Sequence, residues 1–310
     1  MTSDDAAVHV RDLTKTFGAA RALDGFDLTV PHGEVTGFLG PNGAGKSTLI
    51  HMMSGFLAPS SGAVTLDGAP IWRNQQVYRQ IGLVPERESV YDHLTGWEFV
   101  LANAELHGLP QPGAAARRAL DLVEMAYAKD RRTGTYSKGM KQRVKMASAL
   151  VHDPAVLLLD EPFNVMDPRQ RLQLMELLRR FGADGRTVLF SSHILEEVEQ
   201  LARHIEVVVA GRHAASGDFR RIRRLMTDRP HRYLVRSSDD RRLAAALIAD
   251  GSTTGIEVDG RERALRIEAV NFQGFTTLLP RVAREAGIRL YTVSPADESL
   301  ESVFSYLVSA

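Results

Sequence analysis

The chain contains no cysteine among its 310 residues. That excludes a disulfide framework, a thiol nucleophile and a zinc–thiolate site, and it fits a reducing cytoplasm. Long apolar runs are missing too. The longest, "AVLLL" and "VVVA", have the length of buried strands, far below the roughly 18–20 residues that a membrane span needs. The N-terminal "MTSDDAAVHV" is acidic and has no apolar core, so it does not read as a secretory leader. The chain is therefore not expected to cross a membrane by itself. It also lacks a net charge: 38 Lys and Arg balance 38 Asp and Glu, which gives no support to a general nucleic-acid role. With 44% apolar and 25% charged residues, the composition is that of an ordinary globular protein. The length suits one large domain, or a core domain with a smaller companion.

Residues 6–30 alternate apolar and polar positions around a turn at Gly18 and predict two antiparallel strands. "GEVTGFLGPNGAGKSTLIHMMSGF" predicts a strand, a glycine-rich loop and a helix. "GAVTLDGAPI" and "IGLVP" predict further short strands. Thr95 and Glu98 form a Thr-x-x-Glu capping box at the head of a helical region, which "GLPQPG" splits in two. Then follow a strand at "AVLLLD", a helix over about 168–181, a strand at "TVLFSSH", a helix at "ILEEVEQLA" and a strand at "HIEVVVAG". Strands alternating with helices imply a largely parallel sheet covered on both faces, an α/β architecture. The arginine-rich "DFRRIRRLMTDRP" predicts a linker helix, solvated or touching lipid head groups. Beyond it, residues 231–310 predict the order β-α-β-β-α-β, a small α+β domain compatible with a ferredoxin-like arrangement. Pro280 inside the second helix of that unit predicts a kink. A last helix places Leu300, Val303, Phe304 and Leu307 on one face.

Three stretches carry chemistry. "GPNGAGKS", Gly40 to Ser47, matches G-x-x-x-x-G-K-[ST] between a strand and a helix. Its glycines let successive N–H groups point at phosphate oxygens. Lys46 can reach the β- and γ-phosphates, and the Ser47 hydroxyl can hold Mg²⁺. In "VLLLDEP", a buried strand delivers Asp160 to a polar end where a carboxylate can hold Mg²⁺. Glu161 follows, placed to polarise water as a general base. His193 ends "TVLFSSH" and would aim an imidazole at the γ-phosphate. A fourth stretch, "GTYSKGMKQRVKMASAL", opens a helix with Lys138, Lys141, Arg143 and Lys145. Alone, it reads as a basic face for nucleic acid or anionic lipid, or simply a solvated one.

In this order, over about residues 8–225, these motifs resemble the ATPase subunit of ATP-binding cassette (ABC) transporters. The resemblance implies an α/β P-loop NTPase, residues 1–225, with an antiparallel β-subdomain, a helical subdomain at about 87–150, and an accessory α+β domain at 226–310. It implies ATP and Mg²⁺ as cofactors, with Gly40, Pro41, Asn42, Gly43, Ala44, Gly45, Lys46, Ser47 and Thr48 around the phosphates. "YSKGMKQR" occupies the place of that family's Leu-Ser-Gly-Gly-Gln signature. Ser137, Lys138 and Gly139 would then contact the γ-phosphate of ATP held by the other subunit of a head-to-tail dimer. Phe17 sits where the family stacks an aromatic on adenine, and a core Phe near a turn is the other possibility. Glu86 stands where the family usually has a Gln that senses Mg²⁺, and Asp167 matches a loop that crosses the dimer interface. Tyr136, Lys138, Met140, Glu86, Val165 and Met166 depart from the usual residues. Several of these, with the C-terminal "DESLESVFSYLV", are similar to the ABC-2 type exporters of drugs and antibiotics. The implied partners are a separate multispan permease at the cytoplasmic face of the membrane and a second ATPase subunit, identical or related. Tyr91 and Trp97 are candidate permease contacts or core residues. A soluble ABC ATPase and an importer subunit are the alternatives.

Overall fold

The computed structural model describes residues 6–87, 89–218, 231–250, 253–259, 264–269 and 272–296. The chain divides into two units, Met1–Ser216 and Gly217–Ala310. The expected boundary at 225/226, the arginine-rich linker and the final helix with Leu300, Val303, Phe304 and Leu307 lie outside the described residues.

The first unit opens with a long hairpin, β1 (Ala6–Phe17) and β2 (Ala20–Pro31), turning at Gly18 as the alternation predicts. With β4 (Ser61–Leu66) and β5 (Ala69–Pro70) it makes an antiparallel sheet in the order β2-β1-β4-β5. Between them run β3 (Val35–Leu39) and α1 (Lys46–Met53). A short α2 (Gln75–Tyr78) leads into β6 (Ile81–Val84).

Three helices follow: α3 (Gly96–Leu106), α4 (Pro112–Leu122) and α5 (Lys138–Leu150). The capping box forms as the sequence requires, with Thr95 Oγ1 accepting from Glu98 N at 3.1 Å and Glu98 Oε2 from Thr95 N at 2.7 Å. Such a cap contributes about 1 kcal/mol. The chain continues through β7 (Val156–Leu159), α6 (Pro168–Ala183), β8 (Thr187–Ser192), α7 (Leu195–Leu201), β9 (His204–Val209) and β10 (Arg212–Gly217). A six-stranded sheet in the order β10-β9-β3-β8-β7-β6 forms the centre. The strands from β9 to β6 are parallel. Every residue of β3, β7 and β8 is buried, as a sheet covered on both faces demands.

The second unit contains β11 (His231–Ser237), α8 (Asp240–Asp250), β12 (Thr253–Asp259), β13 (Ala264–Ala269), α9 (Phe272–Glu285) and β14 (Leu290–Pro295). All strand pairs are antiparallel, in the order β12-β13-β11-β14, which is a split β-α-β arrangement. Pro280 does not end α9, which runs through it. Phe275, Leu279, Val282 and Ala283 hold one side of that helix in the core, while Pro280 faces outward.

Candidate phosphate-binding and catalytic site

The site gathers where parallel strands end. β3 hands the chain to the loop Gly40–Gly45, and α1 begins at Lys46. Gly45 has φ +106°, and a Cβ there would lie 2.7 Å from Ala22 O. Only glycine turns the chain into the helix at that point without strain. The Lys46 side chain is buried (6% exposed), with Nζ donating to Gly40 O at 2.8 Å and Pro41 O at 3.3 Å. The same nitrogen stands 3.4 Å from Glu161 Oε1.

β7 delivers two acidic residues. Asp160 is buried, and its Oδ1 accepts from Ser191 Oγ at 2.7 Å. Ser191 Oγ in turn accepts from Glu161 N at 2.8 Å. One hydroxyl from the neighbouring strand therefore ties both residues down. Glu161 has φ +47°, an uncommon conformation for a residue with a side chain. Strained backbone of this kind concentrates at functional positions. Glu161 Oε2 accepts from His193 Nδ1 at 2.9 Å, which leaves the other edge of the imidazole open. Behind His193, buried Glu197 accepts from Ser192 Oγ at 2.7 Å and pairs with Arg171 at 3.4 Å. Burial pushes the Glu197 carboxyl above its ordinary value.

These groups border a cleft of about 320 Å³ lined by Ala22, Asn42, Gly43, Gly45, Lys46, Ser47, Thr48, Glu86, Glu161, Asn164 and His193. Of the residues expected at the site, Gly40 and Pro41 serve from below as carbonyl acceptors for Lys46. Ala44 is buried under the loop and Asp160 behind Ser191. Phe17 is 51% exposed with Lys15 Nζ 5.1 Å from its ring centre, so it is not a core residue. Ala22 and Asn164 were not anticipated. Asn164 follows Glu161 by one tight turn, a signal the sequence did carry.

Ser137, Lys138, Gly139 and Asp167 do not line this cleft. Ser137 caps α5, its Oγ accepting from Met140 N at 3.2 Å, and Ser137 and Lys138 are exposed. Gly139 is buried against Gln170, whose Oε1 would lie 2.1 Å from a Cβ built there. Asp167 caps α6, accepting from Gln170 N at 2.9 Å. The other cations of that stretch do not form a basic surface. Lys141 pairs with Asp92 at 2.9 Å, Arg143 donates to Glu124 O at 3.3 Å, and Lys145 is buried. Lys141, Arg143 and Lys145 are thus engaged within the chain, which gives no support to a free basic face. Tyr91 is 63% exposed. Trp97 is half-buried, with Arg117 and Lys129 over its ring.

Ser47, Glu86 and Asp160 offer only oxygen donors, the chemistry of a hard divalent cation such as Mg²⁺. Among the described residues no group of three or more His, Cys, Asp or Glu side chains is placed to hold a metal alone. A cation here would complete its shell with phosphate oxygens and water, as Mg²⁺ does.

A family profile described as ABC transporter matches residues 23–164. The daunorubicin resistance ATP-binding protein DrrA3 of Streptomyces coeruleorubidus is 33% identical over 98% of this chain and 96% of its own length. The bacitracin transport ATP-binding protein BcrA of Bacillus licheniformis is 31% identical over 97% of each. Among solved structures, an ATP-binding subunit of an ABC transporter superposes with a TM-score of 0.65 at 31% identity, covering 70% of this chain and 92% of that one.

Proposed function

The chain belongs to the ATP-binding subunits of ABC transporters, enzymes that hydrolyse ATP, and on that premise we propose how its site works and what it drives. The cleft holds the triphosphate of ATP. Loop N–H groups and the α1 N-terminus face its oxygens, and Lys46 turns from the carbonyls of Gly40 and Pro41 towards the β- and γ-phosphates. Ser47, Asp160 and Glu86 hold Mg²⁺, which supplies charge neutralisation on the phosphates when bound. Glu161 orients water and accepts its proton, and His193 positions the Glu161 carboxylate while its free edge faces the γ-phosphate. Phe17 covers the adenine.

Two chains close head to tail. Ser137 and Gly139 at the α5 N-terminus complete the partner's site, with Lys138 beside them and Asp167 at the interface. The observation that carries this reading is that separation. The residues for phosphate and water meet in one cleft, while the α5 N-terminus, chemically suited to an anion, stands exposed outside it. Closure and reopening of the dimer drive a separate membrane-spanning permease at the cytoplasmic face. Among the described residues no helix is long and apolar enough to cross a membrane. The full-length match to daunorubicin resistance and bacitracin transport proteins, C-terminal unit included, supports export of a drug, antibiotic or lipid.

Ser137→Arg tests the arrangement. Hydrolysis should be lost, while monomers bind a fluorescent ATP analogue as the wild type does. Equal loss of monomer binding would place Ser137 in its own chain's site and remove the head-to-tail reading.

A further inference from the structure

Lys145 has no part in the signature turn, yet it is 5% exposed, unusual for lysine. It lies two turns into α5 from Ser137, and its ammonium reaches across to the loop that follows β6. Nζ donates to Pro85 O at 2.8 Å, Arg87 O at 3.1 Å and Glu86 O at 3.4 Å. Three consecutive carbonyls meet a group with three N–H donors. The loop they belong to brings Glu86 to the wall of the phosphate cleft. One turn earlier on the same helix, Gln142 Nε2 donates to Pro162 O at 3.0 Å, in the turn directly after Glu161.

We propose that Lys145 is a positioning residue that clamps the Glu86 loop to the signature helix and so sets where the Glu86 carboxylate stands in the cleft. Through Lys145 and Gln142, α5 holds both acidic loops of its own chain's site while its N-terminus carries Ser137. A shift of α5 as Ser137 engages the neighbouring chain is then transmitted to Glu86 by three hydrogen bonds. Elsewhere in the stretch, Lys141 pairs with Asp92 at 2.9 Å and Arg143 donates to Glu124 O at 3.3 Å.

This inference rests on the ATPase reading, and its test separates the two. Full-length Lys145→Met, Glu86→Ala and the double variant are compared with wild type for steady-state ATP hydrolysis and for amide hydrogen exchange without nucleotide. Lys145→Met should lower turnover about 10- to 100-fold, the range expected when a catalytic group is misplaced. In the Glu86→Ala background it should lower it no further. Exchange should quicken in the Glu86 loop alone. Effects that multiply in the double variant, or exchange that quickens throughout the cassette, would overturn the proposal. Should Lys145→Met fail to fold, Lys145→Gln takes its place in the same cycle; failure of both would also overturn it, because Lys145 would then hold the cassette as a whole. A wild type that hydrolyses no ATP would count against the ATPase reading, while the exchange data would still report on the clamp.

Discussion

Two buried glutamates in the first unit each face histidine, and they have opposite fates. Glu161 is 7% exposed and Glu206 1%. Glu161 stands just past the end of β7, with its backbone at φ +47°, beside an open cleft. Glu206 lies inside β9. One of its oxygens accepts from His204 Nε2 at 2.8 Å and Ser216 Oγ at 2.7 Å, the other from His213 Nε2 at 2.7 Å. The ring of Phe26 packs edge-on against His213. Burial alone would raise the Glu206 carboxyl, but the hydrogen bonds from His204, His213 and Ser216 outweigh it and hold the group below its ordinary value. The same residue pair thus borders an open cleft in one place and forms a buried brace in the other. What separates them is the end of a strand and an adjoining cleft, not the identity of the side chains.

The sharpest break between the two is expected from Glu161→Gln. Turnover should fall by about 10²–10⁴, the range for loss of a general base. ATP binding should persist, closed dimer should accumulate, and the melting temperature should stay near that of the wild type. Undiminished turnover would remove Glu161 from the role of base and leave the contrast with Glu206 without content.

Glu206→Ala should do the reverse. Removing one partner of a buried charged network costs about 3–5 kcal/mol, because His204, His213 and Ser216 lose their shared acceptor. The first unit should melt at a clearly lower temperature, while ATP turnover per folded molecule is retained. A large loss of specific activity with normal melting would make Glu206 part of the site after all.

How legible each region was follows from distance along the chain. The hairpin at Gly18, the capping box at Thr95 and the phosphate loop are local patterns, and their residues meet within a few positions. β11 alternates as well, burying His231, Tyr233 and Val235. β10, in contrast, reads "RHAASG", with no apolar alternation of its own. It is held as a strand by its neighbour β9 and by the side chains on Glu206. Lys145 was misread as one of four surface cations because its carbonyl partners lie 58 to 60 residues earlier. Glu206 sits within the predicted strand "HIEVVVAG", and its partner His213 lies on the next strand, across a turn. α9 runs through Pro280, while Phe275, Leu279, Val282 and Ala283 bury its other face. The phosphate-loop motif lies on one short stretch of chain; what braces the cleft depends on contacts that only the fold brings together.

The smallest expected effect concerns the sign of a pH dependence. The hydrogen bond to Glu206 raises the His213 imidazole above its ordinary value. A raised folded-state value means that the stabilisation is fully present below the unfolded value, about 6.5, and is lost as pH rises through the folded one. Glu206 behaves oppositely. Its lowered folded value gives stability that is present above the ordinary carboxylate range and is lost as pH falls through the folded value. The two contributions overlap only in mildly acidic solution. His213→Gln keeps a neutral donor to Glu206 but cannot take up a proton. It should therefore lower the melting temperature near pH 6, where the imidazolium charge is lost, and clearly less near pH 9. Melting curves at both pH values measure this difference. Equal deficits would show that His213 acts through its packing on Phe26 and not through its charge. In that case Glu206 would be held by neutral donors alone.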